Sequence, residues 1–464
     1  MPKSEKNALS PNSTGGRDVA YHLHPYTDLA RHRESGPHVI VRGDGVRVID
    51  EDGKAYIEGM SGLWCAALGF SEERLAAAAE RQMRTLPFYH SFTGRVPDVI
   101  VDLAEKLIGL APVPMSKVLF CNSGSEANDT ALKLVRLFNN LVGRPEKKKV
   151  VARKGAYHGV TMGAGSLTGL AHTHSGFDLP IPGVLHTTRP DYYLESNSDE
   201  SEEEFASRCA DDLENLILDE GPATIAAFFA EPLLGAGGAV PPPATYFANI
   251  QNVLAKYDIL LVADEVICGF GRTGNMWGSQ TFGIKPDIVT SAKALSSGYA
   301  PISAVMISEP IGEALVGTSE KYGIFGHGFT YSGHPLGAAV ALETLRIYEE
   351  MDVVARVCEI APRFQAALRS FAQSPIVGDA HGVGLVGGLQ LVADKATRAM
   401  FAANARVGVH VIERAQAHGL ITRNLGDVIA FAPPLIIQEA EIDEMFEKFA
   451  EALHETEIWV SQNQ

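Results

Sequence analysis

Lys293 is an isolated amine. It follows the apolar run DIVTSA at 287–292 and precedes ALSSGYAPI, residues too small to cover it, and the nearest other lysines are Lys285 and Lys321. A lysine kept from water either meets an anion or loses its proton. The neutral amine is a nucleophile toward aldehydes. A strand-end lysine that reaches solvent is the competing reading. Twenty-nine residues earlier, Asp264 and Glu265 close the apolar run ILLVA at 259–263. A carboxylate there is costly without a cationic partner. A pyridinium nitrogen is one such partner; capping of the next turn is the other use of Asp264.

Two further turns could hold a ligand. FCNSGSEANDTALKL begins at Phe120 and reads as a strand end, small polar residues and a helix start. Ser123 and Glu126 have the spacing of a capping box. The same glycine- and serine-bearing helix start is a ready phosphate site. KGAYHGVT at 154–161 offers Tyr157 and His158 just after a strand. An aromatic there can stack on a flat ring or lie on the surface. Gly269, Gly271 and Gly274 spell G-x-G-x-x-G, as do Gly382, Gly384 and Gly387, but neither triplet opens a helix. A dinucleotide fingerprint needs that helix, so both are expected to be tight loops. His22/His24 and His172/His174 show no carboxylate at metal spacing and there is no HExxH, so no metal site is expected.

The 464 residues carry 39 Lys+Arg against 56 Asp+Glu, a net charge of −17. Such a surface repels phosphate backbones and anionic membranes. The KKK at 147–149 is expected to be a solvated loop. The five cysteines are scattered without a CxxC pair, which argues for a reducing compartment. The opening MPKSEKNALSPNSTGG has no apolar core, and no apolar run reaches the ~18 residues of a membrane span. A cytoplasmic protein is expected.

These residues need elements to position them. VIVRGDGVRVIDEDGKAYIEG at 39–59 alternates and turns at Asp52-Gly53, a hairpin or short meander. From about 70 to 345, strand, turn and helix repeat. Strands are expected at 117–121, 149–153, 224–232, 259–266, 287–292 and 302–308. Most are continuous apolar runs, buried on both faces. A helix over 125–139 puts Ala131, Leu134, Val135 and Phe138 on one face. The pattern predicts an α/β fold: a mainly parallel sheet covered by helices. The acidic stretch at 196–204 is expected to be an exposed loop leading into a helix. Strands at 385–394 and 428–437 with flanking helices predict a smaller α+β lobe. The expected divisions are a disordered tail at 1–20, a small-domain portion at 21–69, a large domain at 70–345 and the rest of the small domain at 346–464.

In order, a phosphate-type turn, an aromatic, a strand-end aspartate and a strand-end lysine lie within one lobe. With NSGSEAND, AYHG, AEP, VADEVICGFGRTG, SAKALSSGYAPI and GHGFTYSGHP, the chain resembles the class III aminotransferases, the ω-transaminase group of the pyridoxal 5'-phosphate enzymes of fold type I. The resemblance implies that Lys293 carries the cofactor and later moves a proton, while Asp264 holds the pyridine nitrogen protonated. Val266 would pack on the ring's inner face and Tyr157 on its outer face, with His158 beside it. Ser123, Gly124 and Ser125 would hold the phosphate, and Glu231 would lie near the ring edge. Thr330 would reach the phosphate of the neighbouring subunit, which implies a homodimer. Trp64, Phe88 and Tyr89 would line the substrate pocket, and Arg423 would receive a carboxylate.

Relatives acting on ornithine, acetylornithine or 4-aminobutyrate carry a second glutamate after the EP dipeptide. Here AEPLLGAGG places Ala236 there. The expected activity is amino transfer from an ω-amino acid or primary amine to pyruvate or another short 2-oxo acid. Decarboxylases, racemases and aminomutases of the family share Lys293 and Asp264. A dinucleotide oxidoreductase using a glycine loop is the reading from another class.

Overall fold

The structure, a computed structural model, describes residues 10–463. In chain order its strands are β1 Ile40–Asp44, β2 Arg47–Asp50, β3 Ala55–Glu58, β4 Lys117–Cys121, β5 Lys149–Arg153, β6 Val184–Thr187, β7 Ile225–Ala230, β8 Leu260–Asp264, β9 Ile288–Ser291, β10 Ser303–Ile307, β11 Val377–Val383, β12 Val386–Leu391, β13 Leu420–Ile421, β14 Arg423–Leu425 and β15 Val428–Phe431.

Seven of them form the large sheet, in the order β4-β10-β9-β8-β7-β5-β6. β10 runs against both its neighbours; the pairings from β9 to β6 are all parallel. β7, β9 and β10 are buried along their whole length, as continuous apolar runs require when helices cover both faces. Phe228 and Phe229, adjacent on β7, are both fully buried, in two different apolar clusters on opposite faces. Truncating either to Ala would cost about 3–5 kcal/mol. Helix Gly124–Leu141 lays Ala131, Leu134, Val135 and Phe138 on the sheet, as expected from their spacing.

The expected meander is β1-β2-β3, and β13 adds to β3 in parallel. The N-terminal and C-terminal portions thus share one small sheet. A second small sheet, β11-β12-β15-β14, completes that lobe. Both glycine triplets are tight turns: Gly271 and Gly274 have positive φ, and Gly384 turns the β11–β12 hairpin at φ +57°. The acidic stretch leads into helix Glu202–Glu220, which Ser201 and Glu204 close with a reciprocal capping box.

Three expectations are corrected here. The tail expected at 1–20 partly falls outside the described residues, but Thr14–Tyr21 is a helix whose N-cap, Ser13, accepts from Gly16 N. The lysines at 147–149 are not a solvated loop. Lys147 is buried, its Nζ donating to the carbonyls of Tyr257 and Asp258, and Lys149 opens β5 while donating to the carbonyl of Glu220. Those carbonyls lie at or just beyond helix C-termini, where unpaired carbonyls and the helix dipole favour cations. Finally, His22 and His24 do have a carboxylate: Asp18 is brought to them by the turn of its own helix. Among the described residues no helix is long and apolar enough to cross a membrane.

Candidate active site

The C-terminal ends of β7, β8 and β9 and the N-terminus of helix Gly124–Leu141 meet at one cavity. Gly124, Ser125, Tyr157, Glu231, Asp264, Val266 and Lys293 line it. It opens through Tyr157 and Lys293 into an outer cavity of about 450 Å³ lined by Tyr26, Trp64, Ala236 and Arg423, a size suited to a small ligand.

Lys293 lies two residues past β9 rather than at its end. It opens a single helical turn, Lys293–Ser296, with a left-handed φ of +49°. That costly conformation is held from three sides. Tyr348 Oη donates to Ala294 O at 2.7 Å, Leu68 N donates to Ser297 Oγ at 2.8 Å, and Ser296 Oγ bonds Ala300 O. No hydrogen bond or ion pair ties the amine among the described residues. Burial lowers its pKa, and Cys65, Asp264 and Glu231 pull it partly back. The competing solvent-reaching reading is therefore set aside: the amine faces the cavity.

Asp264 ends β8 and is almost fully buried. Its Oδ2 accepts from Asn128 Nδ2 at 2.7 Å and His158 Nδ1 at 2.8 Å, and its Oδ1 accepts from Val266 N at 3.0 Å. A carboxylate has about four lone-pair sites. Three are taken, so one on Oδ1 is left for a cationic donor. The aspartate caps the turn, as one of the two sequence readings has it, and keeps a free acceptor at the cavity. His158 lines the inner cavity as well, with its ring buried against Asp264 and edge-on to Phe229.

Asn128 escaped the sequence reading. It is buried on the apolar face of its helix, donating also to His158 O at 2.8 Å and accepting from Thr290 Oγ1 at 3.0 Å. A polar residue in register with the buried Ala131, Leu132 and Val135 was the available signal, because a buried amide needs partners.

At the helix start, the N–H groups of Gly124 and Ser125 have no partner in the chain among the described residues. Such unpaired N–H groups at a helix start are able to meet an anion. The Ser125 hydroxyl accepts from Val160 N at 3.1 Å, which leaves its proton free to donate. A Cβ on Gly124 would lie 3.1 Å from Val266, so glycine keeps this wall open. Ser123 is corrected: it is exposed and its hydroxyl caps the helix by accepting from Glu126 N, while Glu126 bonds Asn122 instead of closing the box. Glu231 is buried, accepting from Tyr157 N and Gly235 N, and burial raises its pKa.

In the outer cavity, Trp64 lies between two cations. Lys293 Nζ stands 5.6 Å and Arg423 Cζ 5.9 Å from its ring. Its Nε1 is buried without a partner among the described residues. Arg423 is half-buried, lowered in pKa by burial, and has no ion-pair partner among the described residues. Arg189 also lines this cavity but is engaged by Asp191 at 2.7 Å and by Gly237 O. Arg423 is thus the arginine free to receive a carboxylate. Phe88 is corrected: with Tyr89 it lies outside this cavity, edge-on to Tyr331 beside His334. Thr330, in the same segment, is exposed.

The sequence matches the class-III aminotransferase family over residues 29–453. The chain is a class III aminotransferase. It is 48% identical to tomato gamma aminobutyrate transaminase 3 over 455 residues, 98% of this chain and 88% of that protein. It is 49% identical to vanillin aminotransferase of Capsicum chinense over 422 residues, 91% of this chain and 92% of that protein. The omega transaminase of Pseudomonas jessenii, solved in complex with PMP, superposes with a TM-score of 0.95 at 52% identity, covering 97% of this chain and 99% of that one. A thermostable variant of equal identity and TM-score, engineered for synthesis of bulky amines, is substituted at a tryptophan, a phenylalanine and an arginine. Their spacings, 28 (92 − 64) and 331 (423 − 92), match Trp64, Phe92 and Arg423 here. Phe92, not Phe88, is the corresponding phenylalanine, and it lies against Gly328.

The aminotransferase uses pyridoxal 5'-phosphate, and its residues fit that group. Gly124 and Ser125 would hold the phosphate, Oδ1 of Asp264 the ring nitrogen, Val266 and Tyr157 the two faces, and Lys293 the aldehyde carbon. When bound, the cofactor supplies an electron sink for the substrate carbon. The chain's own contribution is placement and protons. Asn128, His158 and Val266 N hold Asp264 in a fixed orientation. Burial lowers the pKa of Lys293, which would leave its Nζ able to take a proton from the substrate carbon and return it. Trp64 and Tyr157 line the wall beside the amine.

Proposed function

We propose that this aminotransferase moves an amino group from a primary amine whose reacting carbon carries no carboxylate to pyruvate, or another short 2-oxo acid. The observation that supports this is the unpaired, half-buried Arg423 above Trp64, facing a wall that carries Ala236 rather than a glutamate. An unpaired cation receives the oxo acid's carboxylate in bidentate fashion. The apolar remainder, with Trp64 and Leu63, accommodates an apolar donor. The relatives named for gamma-aminobutyrate and vanillin support two donor kinds, an ω-amino acid and an arylmethylamine. In the first, the distal carboxylate meets the same arginine.

The working unit is a homodimer with Thr330 completing the partner's phosphate site. Phe88, Phe92 and Tyr331 are exposed apolar groups clustered on that segment, which supports burial against a second copy. A donor panel of 4-aminobutyrate, β-alanine, benzylamines and 1-phenylethylamine with pyruvate and 2-oxoglutarate tests the chemistry. Turnover with 2-oxoglutarate and none with pyruvate would overturn the acceptor. Sedimentation under assay conditions tests the assembly, and an active monomer would refute it.

A further inference from the structure

Away from the cavity, three imidazoles gather round one carboxylate. Asp18 lies on helix Thr14–Tyr21, His22 follows four residues on, and His24 comes just after. His32 returns from helix Leu29–Ser35. His22 Nδ1 is 2.9 Å from Asp18 Oδ1, and His24 Nε2 is 2.9 Å from Oδ1 and 2.8 Å from Oδ2. His32 Nε2 is 3.0 Å from Oδ2. Ligand atoms of Asp18, His22 and His24 all lie within 4.8 Å of one another. The rings crowd: centroids are 4.5 Å apart for His22 and His24, and 4.1 Å for His24 and His32.

Hydrogen bonding leaves this cluster incompletely satisfied. The His32 side chain is only 9% exposed, yet among the described residues its Nε2 has no hydrogen-bond partner of adequate geometry despite its closeness to Asp18. A buried ring nitrogen without a partner is uncommon and costly. A cation at the centre resolves it, because it takes lone pairs from all four groups at once. Imidazole and carboxylate are the donor set that first-row divalent ions select. Metal–ligand bonds of about 2.0–2.2 Å place tetrahedral neighbours about 3.4 Å apart. The separations of the three imidazoles from Asp18, 2.8–3.0 Å, need to widen by only about half an ångström, while His32, outside the group whose ligand atoms lie within 4.8 Å, draws in. His22, 61% exposed, has room to move.

We propose that Asp18, His22, His24 and His32 form a binding site for a first-row divalent cation such as zinc, which pins the N-terminal segment over the active-site entrance. The link is short. His24 is followed by Pro25 and Tyr26, and Tyr26 lines the outer cavity with its ring 6.4 Å from Tyr157 and 6.3 Å from His172. Tyr26 is held there at a left-handed φ of +49°. The four ligands fasten both ends of the loop that carries it.

The test uses the tag-free, cofactor-loaded chain, stripped with EDTA, desalted and dialysed against zinc. Metal is counted by plasma mass spectrometry and cofactor by absorbance. One equivalent per chain is expected in the parent. The His24→Asn/His32→Asn variant should bind at least ~tenfold more weakly while keeping its cofactor. Cobalt in place of zinc should show the visible bands of a tetrahedral site in the parent alone, which keeps the test decisive if the variant folds poorly. Tryptic cleavage in the Arg17–Arg33 segment should slow in the parent by up to ~100-fold at a hundred times the Kd, and not in the variant. No zinc uptake by the parent, or equal uptake by parent and variant, would overturn the site. Zinc bound at the cluster without slower cleavage would overturn the pinning.

Discussion

Asn128 Nδ2 donates to Asp264 Oδ2 at 2.7 Å, from the buried face of a helix to the end of a strand 136 residues away. Asn128 thereby takes one lone pair and turns the other oxygen toward the cavity. Asn128→Ala should retain the cofactor but slow the single-turnover half-reaction with an amine about ten- to a hundredfold, the scale of one hydrogen bond to a buried charge. Asp264→Asn should lose more, at least ~10²-fold, because the charge itself goes. Equal rates in Asn128→Ala and the parent would remove the positioning role.

Lys293→Ala should be folded, hold its cofactor noncovalently and show no turnover. Borohydride reduction of the parent followed by peptide mapping should label Lys293. Label on Lys285 or Lys321 would refute the assignment.

Arg423→Ala should separate the two half-reactions. Loss of a charged pair with the oxo acid's carboxylate should lower kcat/KM for pyruvate about ten- to a hundredfold. The half-reaction with 1-phenylethylamine, which brings no carboxylate, should change far less. Equal losses in both halves would place Arg423 in packing rather than recognition.

Glu58 is buried at the end of β3 and accepts from Gly62 N in the turn that carries Trp64. Burial raises its pKa to about 7. A carboxyl raised in the folded state stabilises fully below its unfolded pKa, and that contribution is lost as pH rises through about 7. Glu58→Gln keeps an acceptor for Gly62 without the charge. The variant should therefore gain on the parent between pH 5 and pH 8, by ~3 kcal/mol at most. Denaturant titrations at the two pH values measure this, and a pH-independent difference would contradict it.

Several features were legible in the chain alone because their causes are local. Lys293 stood out by isolation, Asp264 by closing an apolar run, and helix Gly124–Leu141 by its 3.6-residue apolar period. The buried strands of the large sheet were readable as unbroken apolar runs. Arg423 and Trp64 came through family resemblance, and the structure places both in one cavity. Long-range pairing decided the rest. His158 bonds Asp264, 106 residues on, because a buried carboxylate needs donors from every side. Lys147 left solvent for the carbonyls of Tyr257 and Asp258, 110 and 111 residues away. Asp18 gathered His32 from another helix. Composition and periodicity determine which residues are buried and where elements begin and end, since those follow from neighbours along the chain. Which buried polar groups satisfy one another depends on how elements are docked, and only the tertiary structure decides that.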